Sequence, residues 1–475
     1  MISVVLIINL LLRLIFIFYG YIATEEGILL YNQQLAYSGQ LPFIDYDAWS
    51  SLFHDYLLGW HQLIFGISIL TQRFVGLGLS LIVFWLTLKL ARQLNPKSTL
   101  MVALLITLAS PFYLYFSTIP YSEQFMTLFI ILSLFWLFSS RPQLAFLSVI
   151  AAGLVRSQAL PITFLTWLYL FFTLPRQRFI KLTLAGAIFT LVLLSPFLLK
   201  SPTHVFWAFF WPLKANQILI YQQGFQGLNL SYLVNFSLEL ARDYGLLFIL
   251  ILAGLLTNGL TKNSSRRRFL VLLLVIIASQ LIVALIHQPP YASYLYPFVP
   301  ILVLLAGLFL VQQTHFTLVL TYFFLILNWL LFPHAQFVKT SLATIKFTPH
   351  TYLNQISADL EKLTPPRSQV LAFYIPPVIQ SHRNLPKNLN RDRFSLSSLP
   401  HQQASQLHLT NLDELQDLIV SRQFPAIILT DRSSRVLDQP TLDLISQHYI
   451  LAETYPQIRF IEDPKTQNLD LYLPR

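Results

Sequence analysis

The chain begins with MISVVLIINLLLRLIFIFYGYIATEEG (residues 1–27), an apolar segment that ends in two adjacent carboxylates, Glu25 and Glu26. Crossing the hydrocarbon core of a bilayer takes about 20 residues, so residues 1–23 are long enough to span it. No basic region precedes the segment and it exceeds the about 7–15 residues of a signal-peptide core, which predicts a retained transmembrane helix. Within it, Arg13 lies mid-helix and is assigned to helix packing or pairing rather than to a site. Two neighbouring carboxylates repel each other, so membrane anchoring alone does not explain them.

Composition predicts an integral membrane protein. The 475 residues are 55% hydrophobic and 11% charged, with a mean hydropathy of +0.59, whereas soluble domains carry about 25% charged residues. The net charge of +10 comes largely from short loops between apolar runs, as in cytoplasmic loops, and does not indicate a nucleic-acid partner. The absence of Cys excludes disulfides, thiolate metal sites and thiol nucleophiles.

Further apolar runs can span the membrane, at 71–93, 98–118, 124–140, 179–199, 245–260, 268–287, 295–311 and 316–333. The run 143–174 is too long for one helix and is interrupted at 156–161, which predicts two short helices. Because basic loops mark the cytoplasmic side, the N-terminus is predicted inside and the C-terminus outside the plasma or inner membrane. About eleven transmembrane helices result from this count.

Two outer loops, 24–70 and 200–244, are long and aromatic, and we interpret them as carrying helices that lie in the membrane interface. From about residue 340 the apolar runs shorten and charges become frequent. Helices are predicted at 352–363, 412–420 and 442–448, strands at 370–375, 425–429, 450–455, 459–461 and 469–473, and a loop at 381–405. The chain is therefore predicted to consist of a helical membrane domain (1–339) and a small extracytoplasmic α/β domain (340–475).

Carboxylates near the outer surface are the first candidate site residues. Glu25 and Glu26 can deprotonate an acceptor hydroxyl, bind a metal or position sugar hydroxyls, but hydrated charges at a helix end are an equal alternative. Glu123 opens the next outer helix, where the helix dipole alone favours an acidic side chain. Asp45 and Asp47 either join the site or are solvated loop carboxylates. A divalent metal is possible beside so many carboxylates, although nothing requires one.

Arg156 is the strongest basic candidate because it interrupts an apolar run. Ionisable groups in such positions are costly and usually have a partner or a ligand. A phosphate is a natural ligand, since a guanidinium can bind its oxygens in a bidentate manner, and Gln158 can add a neutral donor. The alternative is a structural ion pair with Glu123 or a loop carboxylate.

The absence of several sequence motifs argues against some classes of function. No HExxH, P-loop or GxSxG sequence and no metal-type His cluster is present, which argues against an ATP-driven pump, a metalloprotease and a serine hydrolase. No soluble nucleotide-binding domain is apparent either. An activated lipid that carries its own leaving group is therefore a better donor than a sugar nucleotide.

Five short motifs follow one another along residues 1–335: EEGILLY (25–31), GQLPFID (39–45), SEQ (122–124), GLVRSQ (153–158) and YLYPFVP (294–300). In their order and topological placement they resemble the protein O-mannosyltransferase-like, or ArnT-like, branch of the GT-C membrane glycosyltransferases. The resemblance implies transfer of a sugar from a polyprenyl-phosphate monosaccharide to a glycan, lipid or protein acceptor at the outer face, with inversion.

The resemblance also implies roles for individual residues. Glu25 would be the general base, Glu26 would order the site, and Glu123 would be the acidic group of the second outer loop. Arg156, with Gln158, would bind the leaving phosphate. The sequence departs from the family at Glu25, which is commonly Asp, and at WSSL (49–52), where many members have Lys or His before Pro-Pro-Leu.

Two other functions stay open at this point. A lipid-glycan polymerase, ligase or transporter also has many helices and large outer loops, but a transporter is expected to show internal repeats and polar residues at the midplane. The sequence has no repeat and few such residues. A non-catalytic membrane scaffold is the third possibility, and Arg156 in a broken helix argues against it.

Overall fold

The computed structural model describes residues 2–48, 51–206, 208–209, 230–258, 264–286, 292–311, 321, 323, 325, 349–431, 433, 436–460 and 463–475. By its internal contacts the chain forms two compact units. The first unit comprises Met1–Ile17, Arg73–Pro196 and Gly227–Lys339, and the second comprises Phe18–Gln72, Phe197–Gln226 and Thr340–Arg475. The first outer loop therefore belongs to the same unit as the C-terminal segment.

Helices account for most of the described chain. They are α1 (Ile2–Tyr19), α2 (Thr24–Tyr37), α3 (His54–Phe65), α4 (Ile69–Leu94), α5 (Thr99–Leu108), α6 (Pro111–Phe116), α7 (Ser122–Phe138), α8 (Pro142–Val155), α9 (Leu160–Thr173), α10 (Arg176–Lys200), α11 (Leu230–Asn258), α12 (Ser264–Ile286), α13 (Val299–Leu310), α14 (Pro349–Leu363), α15 (Pro376–Gln380), α16 (His401–Gln406), α17 (Leu412–Val420) and α18 (Gln439–His448). Short 3-10 turns cover Pro96–Ser98, Ser157–Ala159, Ala292–Phe298 and Asp392–Ser395.

Four of the described helices are long and apolar enough to cross a membrane, namely Ile2–Tyr19, Ile69–Leu94, Arg176–Lys200 and Arg267–Ile286. Shorter apolar helices lie at Pro96–Leu108, Ser122–Phe138, Pro142–Val155 and Tyr294–Leu310. These segments are those of an integral membrane protein. The count of about eleven spans and the sidedness stay predictions, because most of the run 316–333, residues 207 and 210–229 of the loop 200–244, and Trp49 and Ser50 lie outside the described residues.

The predicted break in the run 143–174 is confirmed. Helix α8 ends at Val155 and α9 begins at Leu160, with the 3-10 turn between them. Arg156 has an extended backbone, with φ −152° and ψ 122°. Pro161 lies in the first turn of α9, where its missing N–H costs nothing, whereas inside a continuous helix it would remove a hydrogen bond.

The prediction of a single helix over 98–118 is wrong, because α5 ends at Leu108 and α6 begins at Pro111. The side chain of Ser110 accepts a hydrogen bond from the Tyr113 amide at 3.1 Å. A Ser N-cap followed by Pro is a common helix start. The helix start at Ser110 was missed because the residues on either side of Ser110-Pro111 are apolar and read as one continuous run.

Buried polar side chains hold α1 in the first unit. Arg13 and Asn9 are fully buried, and Arg13 Nε donates to Asn9 Oδ1 at 2.8 Å while Nη1 donates to Ser117 Oγ. Asn9 Nδ2 in turn donates to Thr107 Oγ1 at 3.1 Å. Inside a helix bundle such bonds replace water for groups that would otherwise be unsatisfied. The structure therefore confirms that Arg13 serves packing.

Arg73 caps the C-terminal end of α1. Its side chain is fully buried, and Nη1 donates to the carbonyl oxygens of Phe16 at 3.3 Å and Ile17 at 3.0 Å. Carbonyl groups in the last turn of a helix have no partner within the helix, and a cation at that end also interacts favourably with the helix dipole. The chain leaves α1 directly before the acidic stretch.

The second unit contains a four-stranded mixed sheet with strand order β1-β4-β6-β5. Its strands are β1 (Leu371–Ala372), β4 (Ile427–Thr430), β5 (Tyr449–Phe460) and β6 (Asp463–Pro474). Strand β1 pairs in parallel with β4, and β6 pairs antiparallel with both β4 and β5. The strands β2 (Leu396–Ser397) and β3 (Thr410–Asn411) form a separate parallel pair. The predicted small α/β region is confirmed.

Three boundaries in this region differ from the prediction. The strand predicted at 370–375 ends at Ala372, because Pro376 and Pro377 begin α15. The strands predicted at 450–455 and 459–461 are one strand, β5, whose pairing with β6 shifts register between Tyr455 and Ile458. The predicted loop 381–405 contains a 3-10 turn, β2 and most of α16.

Candidate active site

Glu25 and Glu26 open helix α2, but their environments differ. Glu26 is fully buried, and its Oε1 accepts a hydrogen bond from the Ala23 amide at 2.9 Å, while its own amide donates to the Ala23 carbonyl at 3.1 Å. This reciprocal arrangement closes the N-terminus of the helix. Glu25 is partly exposed. Of the two carboxylates, Glu25 is therefore the more accessible, and Glu26 orders the turn that carries it.

A chain of hydrogen-bonded amide side chains holds α2 in place. Gln72 Nε2 donates to the Glu26 carbonyl at 3.2 Å, and Gln33 Nε2 donates to Gln72 Oε1 at 3.4 Å. Gln62 Nε2 donates to Gln33 Oε1 and to the Leu30 carbonyl, each at 3.0 Å. These bonds connect α2 with α3 and with the start of α4. Such a network restricts the first turn of α2 to one arrangement.

The two loop aspartates have structural partners. Asp45 is exposed, and its Oδ2 accepts a hydrogen bond from the Leu41 amide at 2.7 Å, which closes the GQLPFID turn. Asp47 is buried, and Arg391 Nη1 lies 2.7 Å from its Oδ1 and 2.6 Å from its Oδ2. Burial raises the pKa of the Asp47 carboxyl to about 6 because lost hydration outweighs the attraction of Arg391.

The Asp47 carboxyl predicts a defined pH dependence of stability. Its pKa of about 6 lies above the ordinary value of 3.8, so between these values the folded chain binds a proton that the unfolded chain has released. The free energy of unfolding that Asp47 contributes is therefore greatest at the acidic end of this window and falls as the pH rises to about 6. Thermal unfolding in detergent measures this slope.

Asp47→Asn is expected to remove the Asp47 part of that slope. Asp45→Asn, which neutralises an exposed carboxyl in the same loop, is the matched control and is expected to keep it. An Asp47→Asn variant whose melting temperature changes with pH as in the wild type would contradict the assignment.

The first unit brings together three predicted site residues, Glu123, Arg156 and Gln158. Arg156 Nη2 lies 2.7 Å from Glu123 Oε1, with 17% of the Arg156 side chain and 13% of the Glu123 side chain exposed. Arg156 Nη1 donates to Ser122 Oγ at 2.8 Å, and Nε donates to Gln158 Oε1 at 3.3 Å. The ion pair considered from the sequence is therefore made. With five N–H donors, the guanidinium can keep these contacts and also donate to an oxyanion.

Gln158 connects this cluster to α12 and to the 3-10 turn that precedes α13. Its Nε2 donates to the Tyr294 carbonyl at 2.8 Å and to Gln280 Oε1 at 3.4 Å. Gln280 Nε2 donates back to the Gln158 carbonyl at 3.4 Å. Gln280 is fully buried and was absent from the predicted site residues, although a lone amide in the apolar run 268–287 is a signal in the sequence. Ser122 lies beside Glu123 in the SEQ motif but was not singled out. We call Ser122, Glu123, Arg156 and Gln158 the arginine cluster.

The acidic pair of α2 lies in the second unit, whereas the arginine cluster lies in the first. Among the described residues, no group of three or more His, Asp or Glu side chains is arranged to hold a metal ion. Asp45 and Asp47 are already engaged by Leu41 and Arg391.

Comparison with known proteins shows the fold. No protein-family model matches the sequence, and no curated protein matches it either. The crystal structure of ArnT from Cupriavidus metallidurans bound to undecaprenyl phosphate is similar, with a TM-score of 0.63 and 11% identity over 98% of this chain and 96% of that chain. The apo form gives a TM-score of 0.64 and 11% identity over 98% and 97%. The chain therefore has the fold of these ArnT structures, which is the fold that its motifs predicted.

Proposed function

We propose that the protein transfers a sugar from a polyprenyl-phosphate-linked donor to a hydroxyl group of an acceptor at the outer face of the plasma or inner membrane. The arginine cluster carries the proposal. A partly exposed guanidinium at a break between two short apolar helices, oriented by Glu123 and Gln158, is suited to bind a lipid phosphate. The similar ArnT structure contains undecaprenyl phosphate, which is the kind of product that such a transfer releases.

The proposed reaction is a displacement at the anomeric carbon. The acceptor oxygen attacks C1 of the sugar, the bond from C1 to the phosphate oxygen breaks, and both electrons of that bond leave with the phosphate. The acceptor proton passes to the carboxylate of Glu25 as general base. Attack opposite to the leaving group inverts the configuration at C1. The products are a glycoside and a polyprenyl phosphate with one more negative charge than in the donor.

The other candidate residues have supporting roles in this proposal. Arg156 stabilises the charge that develops on the departing phosphate, and Gln158 adds a neutral donor. Glu123 orients the guanidinium through the 2.7 Å ion pair. Glu26 fixes the first turn of α2 by accepting the Ala23 amide. A glycan, lipid or protein hydroxyl can serve as the acceptor in this scheme.

The proposal is tested by incubating the protein, reconstituted in lipid nanodiscs, with polyprenyl-phosphate monosaccharides that are labelled in the sugar. We expect the label to move to an acceptor supplied as an envelope extract, with release of polyprenyl phosphate. The alternative function, a lipid-glycan polymerase, ligase or transporter, predicts different outcomes. Turnover of lipid diphosphate oligosaccharides only would indicate a polymerase or ligase. Passage of glycan across sealed vesicles without sugar transfer would indicate a transporter.

A further inference from the structure

The C-terminal segment of the second unit binds the start of α2, directly beside Glu25. Tyr374 Oη donates to the Ile22 carbonyl at 3.1 Å, and the Ile375 amide donates to Thr24 Oγ1 at 3.2 Å. Both acceptors lie within three residues of Glu25. The first turn of the acidic helix is thus held by a segment that is about 350 residues away along the chain, since the two bonds span 352 and 351 positions.

The backbones approach each other closely at Gly27. A Cβ atom at this position would lie 2.6 Å from Pro376 N and 2.9 Å from Ile375 C. A Cβ atom essentially never lies within 3.0 Å of a non-bonded heavy atom, so only glycine permits this contact. The first turn of α2 therefore packs closely against Ile375 and Pro376, which lead into α15.

A second set of contacts holds the middle of α2. Asn390 Nδ2 donates to Asn32 Oδ1 at 3.0 Å and to the Asp47 carbonyl at 2.8 Å. Tyr31 Oη donates to the Leu385 carbonyl at 3.3 Å. Asn32 is fully buried and Asn390 is 3% exposed, so these hydrogen bonds are shielded from water. Their loss would leave buried polar groups without partners, which is unfavourable.

The buried ion pair between Arg391 and Asp47 completes the attachment. The two side chains are 7% and 3% exposed, and the charged atoms lie 2.6 Å apart. Because burying two charges costs much of the attraction that they gain, such a pair is weak evidence for stability. Its best-attested use is to specify one arrangement of the elements that it joins. Here it joins the loop that follows α2 to the C-terminal segment.

We propose that Arg391 and Asn390 are positioning residues for glycosyl transfer, which hold α2 through Asp47 and Asn32 so that Glu25 is presented in a single orientation. The assignment of Glu25 as base rests on the proposed function, whereas the attachment of α2 does not. A general base acts only within hydrogen-bonding reach of its proton. A shift of about 1 Å in a positioned group can lower a rate by about 100-fold.

Kinetics of the full-length protein in nanodiscs test the catalytic part of the proposal. Arg391→Ala and Asn390→Ala are expected to lower kcat for sugar transfer by about 10- to 100-fold. The Kd for polyprenyl phosphate, which reports on the arginine cluster, is expected to stay unchanged. Arg391→Lys retains the charge and is expected to recover part of kcat. Lys387→Ala, which removes an exposed cation from the same segment, is expected to match the wild type.

Amide hydrogen exchange tests the attachment independently of activity. Arg391→Ala is expected to raise exchange in Thr24–Tyr37 and to leave Ser122–Phe138 unchanged. Arg383→Ala is the matched control, because its guanidinium is equally buried but donates only within the C-terminal segment, to Thr364 Oγ1 at 2.9 Å and to the Ser381 carbonyl at 2.7 Å among others. It is expected to loosen that segment without raising exchange in α2.

The outcomes separate this proposal from the proposed function. If the wild type turns over no lipid-linked sugar, the proposed function fails, while the exchange data still decide whether Arg391 holds α2. If Arg391→Ala changes neither exchange in α2 nor kcat, positioning by Arg391 is overturned. A rise in exchange with unchanged kcat also overturns it, because α2 would then be held for another reason. Equal effects of Arg383→Ala and Arg391→Ala would indicate general destabilisation and overturn it as well.

Discussion

Arg156→Ala is expected to lower kcat for sugar transfer by about 10²–10³-fold, the usual cost of removing one group that stabilises charge in the transition state. The guanidinium is the one cation of the arginine cluster, and it is 2.7 Å from Glu123 and 2.8 Å from Ser122. Its removal leaves the charge on the departing phosphate uncompensated and also leaves Glu123 without its cationic partner. Release of polyprenyl phosphate from a labelled donor measures the effect.

Two further variants identify what Arg156 contributes. Arg156→Lys retains a cation but loses the planar fork that binds two oxygens together, so we expect only partial recovery of kcat. Arg141→Ala is the matched control. Arg141 lies immediately before α8, at the opposite end of that helix from Arg156, is exposed, and has its guanidinium 5.2 Å from the centre of the Trp136 ring. If Arg156→Ala and Arg141→Ala both turned over donor at the wild-type rate, the phosphate-binding role would be wrong.

Glu25→Gln is expected to lower kcat by about 10²–10⁴-fold, which is the contribution of a positioned general base. The KM for the donor is expected to change little, since the amide has almost the same shape and the proposed mechanism assigns binding of the donor phosphate to Arg156. Glu25→Asp returns the carboxylate with one methylene fewer and is expected to keep more activity than Glu25→Gln. Initial rates at saturating donor and acceptor measure these differences.

Glu26 lies in the same helical turn as Glu25, but its substitution is expected to affect stability. Glu26 is fully buried and accepts the Ala23 amide, so Glu26→Ala is expected to lower the free energy of unfolding by about 1 kcal/mol through loss of the cap. Glu361→Gln, an exposed site in the second unit, is the neutral control for Glu25→Gln. Normal turnover by Glu25→Gln alongside a large loss in Glu26→Ala would reverse the roles that we assign to the two residues.

Glu123, Arg156 and Gln158 of the arginine cluster could be predicted from the sequence, because the patterns that indicate them lie within short segments. A charge and a proline inside an apolar run predict a broken helix, and both Arg156 and Pro161 lie where α8 gives way to α9. Glu123 was predicted from its place at the start of the next outer helix, and it proved to be the ion-pair partner of Arg156. Gln280 was not predicted, although it is a lone amide among aliphatic residues.

The attachment of α2 to the C-terminal segment could not be predicted from one sequence. Arg391 and Asp47 are 344 positions apart, and Arg391 lies within the polar stretch 381–405, which has no periodicity and was predicted as loop. A salt bridge between distant segments has no signature in the local pattern of either one. For the same reason Asp47 was considered a solvated or catalytic carboxylate, whereas it is buried against Arg391.

The most direct test of the proposed transfer is to identify which bond of the donor breaks. A polyprenyl-phosphate sugar labelled separately in the sugar and in the phosphorus, incubated with the protein and an acceptor, follows both parts at once. The proposed mechanism predicts that the sugar label moves to the acceptor with inverted configuration, while the phosphorus label stays on the lipid as a monophosphate in equal amount. Arrival of the phosphorus label on the acceptor, or no transfer of either label with any lipid-linked sugar, would contradict it.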